Sequence, residues 1–228
     1  MKLLQIVCVV VVLAYTVSVE ASPGVGSLNT NAFDLSGALD REVAPTPRAV
    51  EVVVGGGYTQ GAGGAGGVGD VEDLTGAGGG IELGIGARLS PRFAVGVYGT
   101  LARFQRGDAI AEGSRAYAAT AGLQMTWHGR TARSLDPWIS LGAGWRELRL
   151  SPRDMPASTV HGVELVRLQL GLDYRFSRRL AVSPVIGGSV AMFLAENIAT
   201  MEGFTSIHGN RVNVYGFTGV LGRFDVGG

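Results

Sequence analysis

The chain has a single cysteine among its 228 residues, and that one, Cys8, lies inside an apolar N-terminal run. A disulfide framework is therefore excluded. Charge is also scarce. Asp, Glu, Lys and Arg make up 17% of the residues, against ~25% in ordinary soluble domains. Nineteen basic residues balance nineteen acidic ones, so no net field points to nucleic acid or to an acidic partner. After the N-terminal run no stretch is long and apolar enough for a membrane-spanning helix, so any insertion into a bilayer must use a barrel. The 37 glycines follow no Gly-X-Y register, which excludes a collagen helix.

The N-terminus, MKLLQIVCVVVVLAYTVSVEASPG, has Lys2, an apolar core and small residues at Val19 and Ala21 around a cleavage point. This is the pattern of a secretory signal peptide spanning residues 1–21. Cys8 would leave with it, and it comes too early to be a lipid anchor. An uncleaved anchor is the alternative, but the run is short for a span of ~20 residues. Residues 22–47 are rich in Ser, Pro, Asn and Gly and read as a flexible linker.

From residue 48 to 228 the dominant signal is alternation. In IELGIGARL, residues Ile81, Leu83, Ile85, Ala87 and Leu89 share one face; Glu82, Gly84, Gly86 and Arg88 share the other. A period of two means strands, and a break as short as Ser90-Pro91 means a hairpin. Eight such runs follow one another: Arg48–Thr59, Gly80–Leu89, Arg92–Phe104, Arg115–His128, Pro137–Leu150, Val163–Phe176, Arg179–Ala195 and Arg211–Val226. The first is the weakest. The connections alternate between long and short, with the fourth, Gly129–Asp136, intermediate. Long loops at one end and short turns at the other are the asymmetry of outer-membrane barrels, and a soluble sandwich or lipocalin-like carrier has no reason for it.

That asymmetry decides which face is inside. The non-aliphatic face is mostly Gly, Ala, Ser and Thr with isolated charges, the composition of a crowded lumen rather than of a wetted exterior. Leu83, Val97, Leu123, Leu141 and Leu170 are expected to meet lipid, and Gly84, Tyr98, Gln124, Gly142 and Gln169 the lumen. Phe93, Trp127, Tyr174, Phe176 and Phe224 stand near strand ends, where interfacial aromatics belong. The expected fold is all-β: an eight-stranded antiparallel up-and-down transmembrane β-barrel. Pro184 is awkward inside it, because proline cannot donate to the ladder. A bulge there, or pairing that begins only after it, is expected.

Several runs resemble the outer-membrane protein A/X superfamily of small barrels. LDPWISLGAGWREL is similar to its strand opening, a Pro-aromatic pair followed by alternation into Gly-x-Gly-aromatic; SPRFAVGVYG and LAVSPVIGGSV are looser copies, and GVLGRFDV resembles its closing strand. The resemblance implies both chain termini in the periplasm, a setting of outer-membrane lipid and lipopolysaccharide, and handling by the barrel assembly machinery. The family's closing strand usually ends on an aromatic residue. Here Phe224 is followed by Asp225-Val226-Gly227-Gly228.

Eight charges fall on the inward parity: Glu82, Arg88, Arg146, Arg167, Asp173, Arg175, Arg223 and Asp225. Glu82, Arg146 and Arg167 are expected at similar heights in mid-barrel, and the other five near the periplasmic mouth. Unpaired charges in a narrow lumen would be costly, so cross-lumen ion pairs with a structural role are the reading. GAGGAGGVG has no helix after it in a βαβ unit, so it reads as a flexible surface loop and not a dinucleotide fingerprint. GGVGDVEDL echoes a calcium-binding repeat only once, which cannot stack. No metal or cofactor is expected. The three histidines, His128, His161 and His208, read as surface-loop residues. A lipid A deacylase-like enzyme would place a His, a Ser or Asp and an acid at the outer rim, where Ser206, Glu164 and Glu196 also lie. No His-x-Ser arrangement accompanies them, so the expectation is a non-enzymatic barrel serving envelope integrity or surface contacts through its long loops.

Overall fold

The computed structural model describes residues 42–66, 69–107, 114–131, 133–151, 156–198, 203, 205–209 and 211–227. The expected signal peptide and the linker up to residue 41 lie outside these residues, as do 108–113, 152–155 and 199–202 of the third, fifth and seventh connections.

Every expected run is a strand. In chain order they are β1 (Val50–Gly63), β2 (Thr75–Ser90), β3 (Phe93–Arg106), β4 (Arg115–His128), β5 (Leu135–Ser151), β6 (Ser158–Arg175), β7 (Leu180–Ile198), the two-residue β8 (Thr205–Ser206) and β9 (Val212–Val226). A one-turn helix, α1 (Val71–Leu74), precedes β2. Each long strand pairs antiparallel with its neighbours in sequence. β9 closes the barrel on β1, from Val50↔Val226 to Gly63↔Asn213, and on β7. β8 adds only to the upper end of β7.

Pairing runs further than alternation suggested, and mostly at one end. β1 continues to Gly63, β2 starts at Thr75 and β6 at Ser158. Gly and Ala dominate the first two extensions, so no hydrophobic period marks them, yet their backbones still complete the ladder. The fifth connection shrinks to residues 152–157, equal in length to the fourth at 129–134. The loop asymmetry therefore rests on the remaining connections. GAGGAGGVG is not wholly a loop either: its first residues finish β1, and Ala65 is buried.

The five residues expected to meet lipid all stand on the exterior, from Val97, Leu141 and Leu170 at just under half exposed to Leu123 at 69%. Leucines bared over a whole barrel are far beyond the few hundred Å² of apolar patch a soluble monomer tolerates. Aromatic residues bound the belt. Trp127 and Phe224 stand at the short-turn end, and Tyr58, Tyr117 and Trp145 at the other. Trp127 and Tyr117 are ten residues apart on β4. That is roughly 33 Å along a strand at ~3.3 Å per residue, or about 25 Å along the axis at a tilt of ~40°. The separation matches the apolar band of an outer-membrane barrel.

Inside, glycine makes room for large side chains. A Cβ on Gly171 would stand 2.3 Å from Trp138, and one on Gly122 would meet Ala143 O at 2.2 Å and the Tyr98 hydroxyl at 2.8 Å. Some of the glycines thus make room for the Trp and Tyr rings that pack the lumen.

Two corrections concern backbone irregularities. Pro184 carries no bulge: it pairs with Val220 in an unbroken ladder to β9, and pairing to both neighbours already exists before it. Only the ladder to β6 skips, between Gly171↔Val185 and Tyr174↔Val182, as expected where proline offers no N–H. Irregularities lie elsewhere. One inserts an extra residue into β6 between Glu164 and Val166, another shifts β7 near Leu194, and β2 shifts against β3 between Thr75 and Gly78 and between Arg88 and Ser90.

Candidate functional site

The lumen is filled from bottom to top by three tiers of ion pairs and an apolar cap. In the lowest tier, near the short-turn end, Arg88, Arg175 and Arg223 meet Glu51, Asp136, Asp173 and Asp225. Arg88 donates to Glu51, and Arg223 Nη1 donates to the same carboxylate at 2.8 Å. Arg223 Nε lies 3.2 Å from Asp173, and Arg175 lies within 3.4–3.8 Å of Asp173, Asp136 and Asp225. His128 Nδ1 is 2.9 Å from Asp136. All of these side chains are buried.

In the middle tier Arg167 donates to Glu82 at 2.5 Å, joined by Gln169 Nε2 at 3.0 Å. The upper tier pairs Arg146 with Glu164; Arg146 also donates to Thr120 Oγ1 at 3.1 Å and Ser189 Oγ at 2.9 Å. Each tier sets one guanidinium over an aromatic ring: Arg223 over Trp138, Arg167 over Tyr98 and Arg146 over Tyr215, all at 4.1–4.3 Å. Desolvated cation–π contacts of this kind are worth ~2 kcal/mol or more. The Tyr98 hydroxyl donates to Glu164, so one side chain ties the middle tier to the upper. A cavity of about 60 Å³ between these two tiers is lined by Glu82, Arg146, Glu164, Arg167 and Tyr215. It has room for a few water molecules.

Above the upper tier the inward residues turn apolar. Phe104, Leu148, Leu150, Val160 and Phe193 form a cluster with Val71 and Leu74 of α1 and with Ile207 beside β8. The two connections therefore fold inward over the barrel mouth. At the opposite end residues 42–49 lie against the rim: Val43 and Ala49 are buried, and Thr46 Oγ1 donates to Arg178 O at 3.2 Å.

All eight charges expected inside are buried, and each has a partner. The heights agree only in part: Glu82 and Arg167 share the middle tier and the other five lie near the short-turn end, but Arg146 stands one tier higher, with Glu164. Four partners escaped the sequence. Glu164 stands on the outward parity of Arg167 and was expected at the outer rim; the bulge reverses the parity above it, leaving Leu165 and Val166 both exposed and Glu164 inside. Arg146 consequently pairs with Glu164 and not with Glu82. Glu51 sits in the weakest strand signal. Asp136 is the second residue of β5, where a loop was expected. His128 is not a surface residue but fully buried, on the inward parity of β4. Its inclusion follows from the alternation Ala118, Thr120, Gly122, Gln124, Thr126, and that signal was already available.

Among the described residues, His128, Asp136 and Asp173 bring possible metal-ligand atoms within 4.8 Å of one another. Arg175 faces both carboxylates, so a guanidinium already supplies the positive charge a cation would bring. Of the two outer-rim histidines, His161 is not brought together with Ser206 among the described residues. His161 turns towards β5, stacked on Trp145 and 3.6 Å from Glu147. Ala195 stands between it and Ser206 in the strand register. His208 Nδ1 lies 3.1 Å from Ser206 O, on the exposed surface.

No protein-family model matches the chain, and no curated protein sequence matches it. Solved structures do. Neisserial surface protein A superposes with a TM-score of 0.53 at 11% identity, over 77% of this chain and 96% of that one. The outer membrane protein OprG from Pseudomonas aeruginosa gives 0.45 at 10% identity, over 79% and 99%. Ail, the attachment invasion locus protein of Yersinia pestis, gives 0.42 at 14% identity, over 78% and 100%. The fold is that of the small eight-stranded outer-membrane β-barrels. With the apolar belt, it makes the chain a transmembrane protein of the cell outer membrane.

Proposed function

We propose that the protein is a non-enzymatic outer-membrane barrel, sealed along its axis, that contributes to envelope integrity or to surface contacts through its outer connections. The observation that carries this reading is the filled lumen: three tiers of ion pairs, then an apolar cap to which α1 and Ile207 contribute. Eight strands enclose little more than their own side chains, and the 60 Å³ left between two tiers is no passage. The eight inward charges act as structural pairs that hold opposite walls together. The surroundings implied are outer-membrane lipid and lipopolysaccharide. For the barrel assembly machinery, Phe224 is the aromatic residue of the closing strand that faces outward. His161 engaged by Trp145 and Glu147, away from Ser206, supports a chain without hydrolytic chemistry at the rim.

The test is conductance. Purified protein in planar bilayers is expected to give no regular steps at moderate voltage. Large, uniform single-channel steps would overturn the sealed reading and make the protein a pore.

A further inference from the structure

On the lipid side of β3, β4 and β5, at the height of the outer aromatic girdle, three arginines stand together. Arg103, Tyr117 and Arg149 share one register row across three adjacent strands. Arg115 is two residues above Tyr117 on the same face. All four side chains are exposed. With strands ~4.8 Å apart, the two flanking Cα atoms are roughly 10 Å from each other and Arg115 lies between and above them. None of the three guanidinium groups has a hydrogen-bond or ion-pair partner among the described residues. The acid of the same groove, Glu147, lies 3.6 Å from His161 Nδ1. Directly beneath, a groove runs down the wall past Gly79, Ile81, Leu101 and Ala119. Nothing but backbone stands near the position of a Cβ on Gly79, which leaves the wall recessed there, while Ile81 and Leu101 are more than half exposed.

An unpaired guanidinium on a lipid-facing surface is costly unless an anion meets it. At the level of Tyr117, about 25 Å above the Trp127 girdle, the anions within reach are the phosphates of lipids in the outer leaflet. We infer that Arg103, Arg115 and Arg149 clasp the phosphorylated headgroup of an outer-leaflet glycolipid, with one of its acyl chains lying in the groove below. Guanidinium forks suit phosphate oxygens better than ammonium groups do, and three of them converge here. The inference rests on the lipopolysaccharide setting proposed above and adds the site at which that lipid is held.

The probe is diphosphorylated lipid A, added to the refolded full chain in maltoside micelles and followed by native mass spectrometry. One lipid A is expected to stay bound to the wild type. The variant R103Q/R115Q/R149Q should lose at least tenfold in retention, and R103Q and R149Q alone should each lose several-fold. Arg92→Gln, at the opposite rim, should change nothing. Heat-modifiable migration on a gel reports barrel integrity separately, so a failed fold is told apart from failed binding. Equal retention by the wild type and by the folded single variants would overturn the proposal. So would equal retention of dephosphorylated lipid A, or full displacement by inorganic pyrophosphate at the same molar concentration as the lipid.

Discussion

Removing Glu82 tests the tiered lumen most directly. Its carboxylate accepts from Arg167 at 2.5 Å and from Gln169 at 3.0 Å, and its side chain is almost wholly buried. Glu82→Ala leaves Arg167 without a counter-charge in a site closed above and below by further tiers. Breaking one partner of a buried pair costs ~3–5 kcal/mol when the site is dry. Here the adjoining cavity of about 60 Å³ admits water to the orphaned guanidinium, and the Tyr98 ring remains beneath it at 4.3 Å. The expected loss therefore falls to or below the lower limit of that range, ~2–3 kcal/mol. Guanidinium unfolding in lipid vesicles, followed by tryptophan fluorescence, should show it as a midpoint lowered by roughly 0.5–1.5 M for a slope of ~2–4 kcal/mol/M. The double variant E82A/R167A should recover part of the loss, because no charge is then left buried; a coupling of at least ~1 kcal/mol is expected from the cycle. Strict additivity of the two single variants, or an unchanged midpoint in Glu82→Ala, would refute the pairing while leaving the barrel intact.

Three further outcomes follow from the same architecture. Leu123→Arg puts a charge near the centre of the lipid belt, where 69% of the leucine is bared, and should cost ~2–4 kcal/mol in vesicle unfolding, with Leu123→Ala well below that. Gly171→Ala drives a methyl to 2.3 Å from Trp138; overpacking of ~1–3 kcal/mol is expected, relieved in part by the double variant G171A/W138F, and equal stability of Gly171→Ala and wild type would contradict the packed lumen. Single cysteines at His208 and Pro91, at opposite ends of the barrel, should differ in labelling by an impermeant maleimide on intact cells: strong at 208 and absent at 91, with the reverse pattern inverting the topology.

Alternation across the eight runs, clearest from Ile81 to Leu89 and from Tyr117 to Trp127, carried the strand count, the lipid face and the inward parity of the eight charges. A two-residue period is a local property, and it needs no knowledge of what lies across the barrel. Which charges touch is a different kind of fact. It depends on the stagger between strands distant in sequence, such as Glu82 on β2 and Arg167 on β6, and that stagger is fixed only when β9 closes on β1. Glu164 shows the limit most sharply. One extra residue in β6 turns the pleat over, and every side chain above it changes face without any change in the local pattern of residue types. The outer cap was illegible for a related reason. Val71, Leu74 and Ile207 lie in connections with no period at all, and only the apolar ring presented by Phe104, Leu148 and Phe193 at the barrel mouth gives them a place to bury.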